Sequence, residues 1–234
     1  MRRFFGEIIK DKAKIDGDEF QHLKTVLRSK VGDEIIVLDG SESEYFCTIE
    51  EMKKDCAFAR VNQVKICQAL PQKNIVLFQA LTKREKLELI TQKAVELGVK
   101  KMIPFSSEYC AVKDAIGKKD RLGKIVRGAC KQCECSVPME IGDTLKFSDM
   151  IKIAGKLDIV LFANERAGEE IDLSSLSDYQ NIGIIVGPEG GFSEKEKEEI
   201  ISSGAKSITL GKRILRSETA SIVLIGLVSV VSKN

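Results

Sequence analysis

The hydrophobic pattern of this chain changes near residue 70. Before that point, apolar and polar residues alternate over the stretches 34–40, 45–52 and 56–64, and turn residues separate the stretches. Alternation with a period of two is typical of strands that bury one face. The segment 16–28 instead has apolar residues at helical spacing. The pattern predicts a small β-rich N-terminal domain over residues 1–70 that contains one helix.

After residue 73, short apolar runs alternate with amphipathic segments. The apolar runs lie at 74–80, 99–105, 158–165, 182–187 and 206–211. Helical stretches are expected at 83–97, 119–132 and 217–231. Repeated strand and helix units predict an α/β domain over residues 73–234, with a mostly parallel sheet and helices on both sides.

Capping residues mark where two of these helices begin. Ser193 with Glu196, and Thr82 with Glu85, have the spacing of capping boxes, in which each side chain satisfies a free backbone amide. The loop GPEGG (187–191) therefore joins a buried strand to a capped helix.

Three of the predicted strands end in unusual loops, at 163–168, 187–191 and 210–220. Parallel strands bring their carboxyl ends to the same edge of a sheet, where ligands bind in open α/β domains. We therefore expect the three loops to form one site.

The loop at 187–191 lacks the common phosphate-binding patterns. The chain has neither a GxxxxGK[ST] motif nor a GxGxxG motif with an acidic residue about 20 positions later. Pro188 cannot donate an amide hydrogen, which weakens a phosphate cradle. A ligand without phosphates, such as an adenosine derivative, fits the loop better. The alternative is a turn that serves only packing.

The composition of the chain and the length of its apolar runs indicate the cellular compartment of the protein. With 234 residues, of which 43% are hydrophobic, the chain can bury a core. The longest apolar run, at 220–231, is too short to span a bilayer, and the first residues lack the apolar core of a signal peptide. Seven cysteines, an odd number, fit a reducing compartment. We expect a cytoplasmic protein that does not enter a membrane.

A cysteine cluster raises the question of a metal. Cys130, Cys133 and Cys135 lie close together, with Cys110 as a possible fourth ligand, and the only histidine, His22, is far away in sequence. Structural zinc sites usually use two ligand pairs, which this spacing does not provide. We therefore expect no metal and ordinary buried thiols.

Charge is unevenly distributed, although the net charge is only +2. The segment 113–131 holds seven basic residues against two acidic ones, and Lys124 and Arg127 lie in its helical part. Such an excess can bind the phosphate backbone of RNA, and the alternative is a solvated helix face. Arg2 and Arg3 at the N-terminus are also expected to contact phosphate.

Two C-terminal motifs carry a family resemblance. GPEGGFS-x-x-E (187–196), followed by LGKRILRSETA (210–220), resembles the signature of the SPOUT class of S-adenosylmethionine-dependent RNA methyltransferases. Within that class, the chain is similar to the ribosomal RNA small subunit methyltransferase E family, which methylates N3 of a uridine in 16S ribosomal RNA. RRFF near the start, VLR at 26–28 and TQKAVELGV at 91–99 agree, so the resemblance covers nearly the whole chain.

The resemblance implies an N-terminal PUA-like β-barrel over residues 1–70 that helps to bind RNA, and a SPOUT domain over 73–234 with a deep trefoil knot. It also implies a homodimer that uses S-adenosylmethionine as methyl donor and acts on 16S ribosomal RNA or the small ribosomal subunit. The implied donor pocket consists of Leu161, Phe162, Gly187, Pro188, Glu189, Gly190, Gly191, Leu210, Gly211, Ile214, Leu215 and Thr219.

One stretch departs from the family. An E-Q-S-x-R-like sequence is replaced here by residues 131–135, KQCEC, which retain Gln132 but have Cys135 in place of the arginine. Neighbouring Arg127 or Lys131 could take over the role of that arginine.

Methylation at N3 requires loss of the imide proton of uracil, so a base or a cation that stabilises the anion would help. We expect Arg216 to stabilise the anion and Glu189 to accept the proton; alternatively, Glu189 caps amides of its own loop. His22, beside Arg28 in the N-terminal domain, is expected to contact RNA or to lie on the surface. Two other functions stay open: methylation of a ribose 2′-hydroxyl, and a non-catalytic role in ribosome assembly.

Overall fold

A computed structural model of the chain describes residues 1–112, 119–165, 169–170 and 174–231. Its backbone contacts divide the chain into two compact units. The first unit contains Met1–Leu70 and Arg127–Pro138, and the second contains Pro71–Val126 and the residues from Met139 onward. The segment 127–138 thus groups with the N-terminal residues, although it lies within the 73–234 range in sequence. Lys113, Lys118 and the loop residues 166–168 lie outside the described residues.

The first unit is built on a six-stranded sheet. Its strands are β1 (Arg2–Phe5), β2 (Glu7–Ile9), β3 (Lys12–Asp16), β4 (Glu34–Leu38), β5 (Ser43–Met52) and β6 (Cys56–Ile66). Their order in the sheet is β1-β4-β5-β6-β3-β2, in which β1 and β4 are parallel and the other pairs antiparallel. The alternating stretches therefore form strands as predicted.

One helical segment packs against this sheet. Helix α1 (Gly17–Gln21) continues into a π-helical turn, His22–Val26. Phe20 and Leu23 from this segment are fully buried with Phe4 and Ile15 of the sheet, because the apolar side chains of both elements face the same core. The first unit is therefore the small β-rich domain with one helical segment that the sequence predicts.

The second unit has a sheet in which every strand pair is parallel. Its strands are β7 (Asn74–Ala80), β8 (Lys101–Ser106), β9 (Glu140–Ile141), β10 (Leu145–Lys146), β11 (Ile159–Ala163), β12 (Glu169–Glu170), β13 (Asn181–Val186) and β14 (Lys206–Thr209). The order is β10-β8-β7-β13-β11-β14-β12, with β9 beside β8. The α/β prediction is confirmed. The trefoil knot stays a prediction.

Helices follow several of these strands. They are α2 (Arg84–Glu96), α3 (Lys119–Cys133), α4 (Phe147–Ala154), α5 (Glu194–Ser202) and α6 (Ser217–Val231), and a 3-10 turn covers Ser174–Asp178. In the part of the chain that the structure describes, none of the helices has the length and apolar character needed to cross a bilayer.

The two predicted capping boxes have different outcomes. Ser193 caps α5, accepting a hydrogen bond from the backbone amide of Glu196 while the Glu196 carboxylate accepts one from the Ser193 amide. The prediction at Thr82 is wrong, because α2 starts one residue later with Lys83 at the N-cap position and without a side-chain cap. Thr82 is fully buried, and its hydroxyl lies 3.4 Å from the Lys83 carbonyl instead.

Candidate functional site

A cavity of about 680 Å³ in the second unit lies at the carboxyl ends of neighbouring strands of the sheet. Residues that follow β11, β13 and β14 line it, which places the three predicted loops around one space. The predicted donor residues in its lining are Phe162, Gly187, Pro188, Glu189, Gly190, Gly191, Leu210, Gly211, Ile214 and Leu215. Arg216 lines it too. Leu161 is instead buried in β11, and Thr219 is exposed on α6; neither belongs to the lining.

The loop GPEGG forms a tight turn anchored by the phenylalanine that follows it. The Gly191 amide donates to the Pro188 carbonyl at 3.0 Å. Phe192 packs edge-on against Phe162, with ring centroids 5.4 Å apart, and stacks on Phe105 at 6.2 Å. The turn therefore sits on the aromatic core of the second unit.

Two glycines of the turn are required by close approach. A Cβ atom at Gly187 would lie 2.7 Å from the Phe192 ring, and one at Gly190 would lie 3.0 Å from the Cβ of Tyr109 and 3.2 Å from its carbonyl oxygen. Any larger residue would push the turn away from its supports, so these glycines fix the shape of the cavity wall.

A buried polar network ties the turn to α6. Gln79, at the end of β7, is fully buried and donates to the Ser217 hydroxyl at 3.1 Å. That hydroxyl donates in turn to the Gly187 carbonyl at 2.6 Å. The Ser221 hydroxyl lies 2.6 Å from the side-chain oxygen of Gln79. The network thus fixes the start of the turn relative to the helix that follows Arg216.

A lysine joins three elements on another side of the cavity. The Lys86 ammonium of α2 lies 3.2 Å from the Glu189 carboxylate and 3.4 Å from that of Glu218 in α6. Partial burial of Glu189 opposes ionisation, but its own backbone amide, Lys86 and the Lys83 amide outweigh burial and lower its pKa. The Glu189 carboxylate is thereby held in its charged form.

Several lining residues were missed by the sequence reasoning. Lys83 and Lys86 follow β7, Tyr109 follows β8, and Lys197 belongs to α5. The first three could have been found, because parallel strands bring all of their carboxyl ends to one edge, and β7 and β8 were both predicted. Together with Arg213 and Arg216, the lysines give this cavity five basic lining residues.

The residues predicted to bind RNA are divided between the two units. Arg2, Arg28 and Arg127 are exposed in the first unit, and the Arg127 guanidinium lies 4.9 Å from the centre of the Phe5 ring. The Arg3 side chain is only 11% exposed and forms ion pairs with Glu44 at 3.0 Å and Glu134 at 2.7 Å. The positive charge of Arg3 is therefore largely compensated by these two carboxylates.

The other two predicted RNA-binding residues have different settings. His22 is half-buried in the π-helical turn of the first unit, with its ring 6.1 Å from that of Phe4 and its Nδ1 atom buried without a hydrogen-bond partner. Lys124 is exposed on α3, in the part of that helix that belongs to the second unit.

The cysteines are present as thiols. Cys130 and Cys135 are buried, and the Cys135 thiol lies 3.4 Å from the Val137 carbonyl. Burial raises the pKa of Cys135 and so favours its neutral form. Within the described residues, no group of three or more histidine, cysteine or acidic side chains is placed to hold a metal ion.

Comparison with known proteins identifies a known domain in each part of the chain. Residues 68–229 match an RNA methyltransferase domain, and residues 15–61 match an RNA methyltransferase PUA domain. Ribosomal RNA small subunit methyltransferase E of Rickettsia conorii is 34% identical over 219 residues, which cover 92% of this chain and 88% of that protein. The chain belongs to the ribosomal RNA small subunit methyltransferase E family. The Bacillus subtilis member is 30% identical over 98% of this chain and 96% of its own.

Solved structures agree with the family assignment. A Legionella pneumophila methyltransferase in complex with S-adenosylmethionine superposes with a TM-score of 0.90 at 27% identity, covering 98% of this chain and 97% of that one. The Neisseria gonorrhoeae member of the family, also bound to S-adenosylmethionine, superposes with a TM-score of 0.85 at 27% identity, covering 96% and 95%. The second unit accordingly has the SPOUT methyltransferase fold.

Proposed function

We propose that this protein transfers the methyl group of S-adenosylmethionine to N3 of a uridine in 16S ribosomal RNA. The observation that carries the proposal is the convergence of GPEGG and the loop before α6 on one cavity in a member of this family. Two similar proteins hold S-adenosylmethionine in their structures.

The cavity suits that donor. Its volume of about 680 Å³ lies within the usual range for small-molecule sites. Phe162, Pro188 and Leu215 contribute apolar groups to the lining, and Gly190 is exposed in the turn. The lining holds two acidic residues, Glu165 and Glu189, against five basic ones, so the fit to the donor rests on volume and apolar groups and not on charge.

S-adenosylmethionine supplies an electrophilic methyl group whose transfer to N3 is an in-line displacement, so the protein contributes mainly orientation. Arg216 is exposed in the cavity lining, and its planar fork suits the uracil carbonyl oxygens on which negative charge develops as the N3 proton leaves. Glu189 has the alternative roles of proton acceptor and of anchor for Lys86 and its own loop; the lowered pKa favours the anchor.

The first unit would hold the RNA. We propose that residues 1–70 form the RNA-binding domain and residues 73–234 the catalytic domain, with Arg2, Arg28 and Arg127 contacting phosphate. By resemblance to the family, the catalytic domain is knotted and the protein is a homodimer. It would work in the cytoplasm, on 16S ribosomal RNA or the small subunit.

Two measurements test the proposal. Calorimetry should detect binding of S-adenosylmethionine to the purified protein, and no affinity at millimolar concentration would refute an enzyme that uses this donor. Mass spectrometry of nuclease-digested 16S ribosomal RNA from a deletion strain should show the loss of one methyl group from a uracil base. Loss of a ribose methyl instead would assign the protein to 2′-O methylation, and unchanged methylation despite loss of the protein would favour an assembly role.

A further inference from the structure

Tyr109 presents an accessible aromatic ring at the cavity. Three aromatic residues line this space, and two of them, Phe162 and Phe192, are only 1% and 6% exposed. Tyr109 is 50% exposed. Of the described aromatic residues in the lining, it is therefore the one whose ring a ligand can approach from solvent.

The backbone of Tyr109 is held in place by the elements that build the donor pocket. The amide of the preceding residue, Glu108, donates to the Glu196 carboxylate at 2.9 Å, and Glu196 is itself buried in the capping box of α5. The Cys110 amide donates to the Ser107 carbonyl at 3.2 Å, which closes a turn around Tyr109. Gly190 packs against its Cβ and carbonyl group. An exposed ring on a fixed backbone makes a preorganised platform.

Basic side chains share the cavity with this ring. Lys83, Lys197 and Arg213 are among the lining residues, and Lys83 and Arg213 are exposed. An aromatic face with cations around it is the combination that binds single-stranded nucleic acid, because bases stack on the ring while phosphates meet the charges. A small donor molecule would not need several exposed cations.

We propose that the Tyr109 ring stacks on a base of the substrate RNA at the entrance of the cavity and holds the target nucleotide out of its own stack. The inference rests on the proposed function. An enzyme that alkylates N3 must take the base out of a paired helix, because N3 lies on its pairing edge, and a protein ring replaces the stacking that is lost. Tyr109 then contributes to binding of RNA and not to binding of the donor.

Steady-state methylation of small ribosomal subunits from a deletion strain tests this role. Tyr109→Ala should raise KM for the RNA by about 5- to 150-fold, the range expected for one lost stacking contact. The matched variant Tyr109→Phe keeps the ring and should stay within about twofold of the wild type. Calorimetric affinity for S-adenosylmethionine should be unchanged in both. Unchanged KM in Y109A, or loss of donor affinity in Y109A, would overturn the proposal.

The absence of tryptophan from the chain provides a second readout. Tyr109→Trp introduces a single reporter, whose fluorescence should be quenched by an RNA fragment that contains the target uridine. Leu89→Trp is the matched control, because Leu89 is 40% exposed and is not among the lining residues. Quenching of Y109W by S-adenosylmethionine alone, or equal quenching of both variants by RNA, would refute stacking at Tyr109. A wild-type protein that binds no donor, or that binds it and methylates no RNA, would count against the proposed function itself.

Discussion

Ser217→Ala removes the hydroxyl that joins Gln79 to the Gly187 carbonyl. In the wild type this hydroxyl accepts from the buried Gln79 amide at 3.1 Å and donates to Gly187 at 2.6 Å. The variant leaves one amide hydrogen of a fully buried glutamine without a partner, which costs about 1–3 kcal/mol. For a protein of this size we expect the Tm to fall by about 2–12 °C.

The same change should weaken donor binding, because the Gly187 carbonyl loses the contact that orients the start of the turn. A net hydrogen bond is worth about 0.5–1.5 kcal/mol, which corresponds to roughly a 2- to 10-fold increase in the Kd for S-adenosylmethionine. Thermal unfolding by differential scanning fluorimetry and donor titration by calorimetry measure the two effects separately.

Ser221→Ala is the matched control. It removes a hydroxyl that lies 2.6 Å from the side-chain oxygen of Gln79. Unlike the Ser217 hydroxyl, it does not bond to Gly187 in the network described above. We expect a similar loss of Tm with little change in donor affinity. If both variants lose affinity equally, the effect is general destabilisation; if Ser217→Ala keeps full affinity, the network supports only the fold and the reasoning about the turn is wrong.

Three other perturbations have defined outcomes. Gly190→Val should abolish donor binding while circular dichroism stays that of the wild type, since its side chain would collide with Tyr109, and unchanged affinity would remove the turn from the site. Glu88→Gln should lower the Tm at pH 7. Hydrogen bonds from Arg121 and Arg84 lower the pKa of Glu88 to about 2, so the stabilisation present above pH 4.5 is lost as the pH falls through about 2. A Tm difference that is independent of pH would contradict this. Charge reversal at Lys124 and Arg127 should weaken RNA binding and reduce the slope of log K against log salt by about 1 per lost phosphate contact, whereas a solvated face would show neither effect.

The hydrophobic pattern predicts most of the second unit because its elements are strongly periodic. The strand over 74–80 and the helix over 217–231 have the predicted bounds. The two-residue strands β9 and β10 were missed, since two residues carry no periodicity. The capping prediction at Thr82 failed because tertiary packing buries that side chain, and a sequence pattern does not report burial.

Long-range contacts are the second feature that local sequence patterns do not predict. The segment 127–138 belongs to the first unit through pairs such as Lys131 with Glu19, separated by 112 residues, and no local pattern indicates such a pair. The sequence does carry a signal at Gln79, because an amide that follows the apolar run IVLF (75–78) in a buried strand must find buried partners. Which partners it finds, Ser217 and Ser221, depends on a helix about 140 residues later.

The charges around the cavity affect which group can accept the N3 proton of uracil in the proposed reaction. Glu189 lies 3.2 Å from the Lys86 ammonium, its pKa is lowered, and the same lysine also binds Glu218. A carboxylate stabilised in this way is a weak base, so it is better suited to join α2, the turn and α6 than to take a proton from N3. We therefore propose that Arg216 lowers the energy of the uracil anion without accepting the proton, while solvent removes it. In that proposal catalysis depends on Arg216, and the next residue, Ser217, is held by hydrogen bonds to Gln79 and to the Gly187 carbonyl.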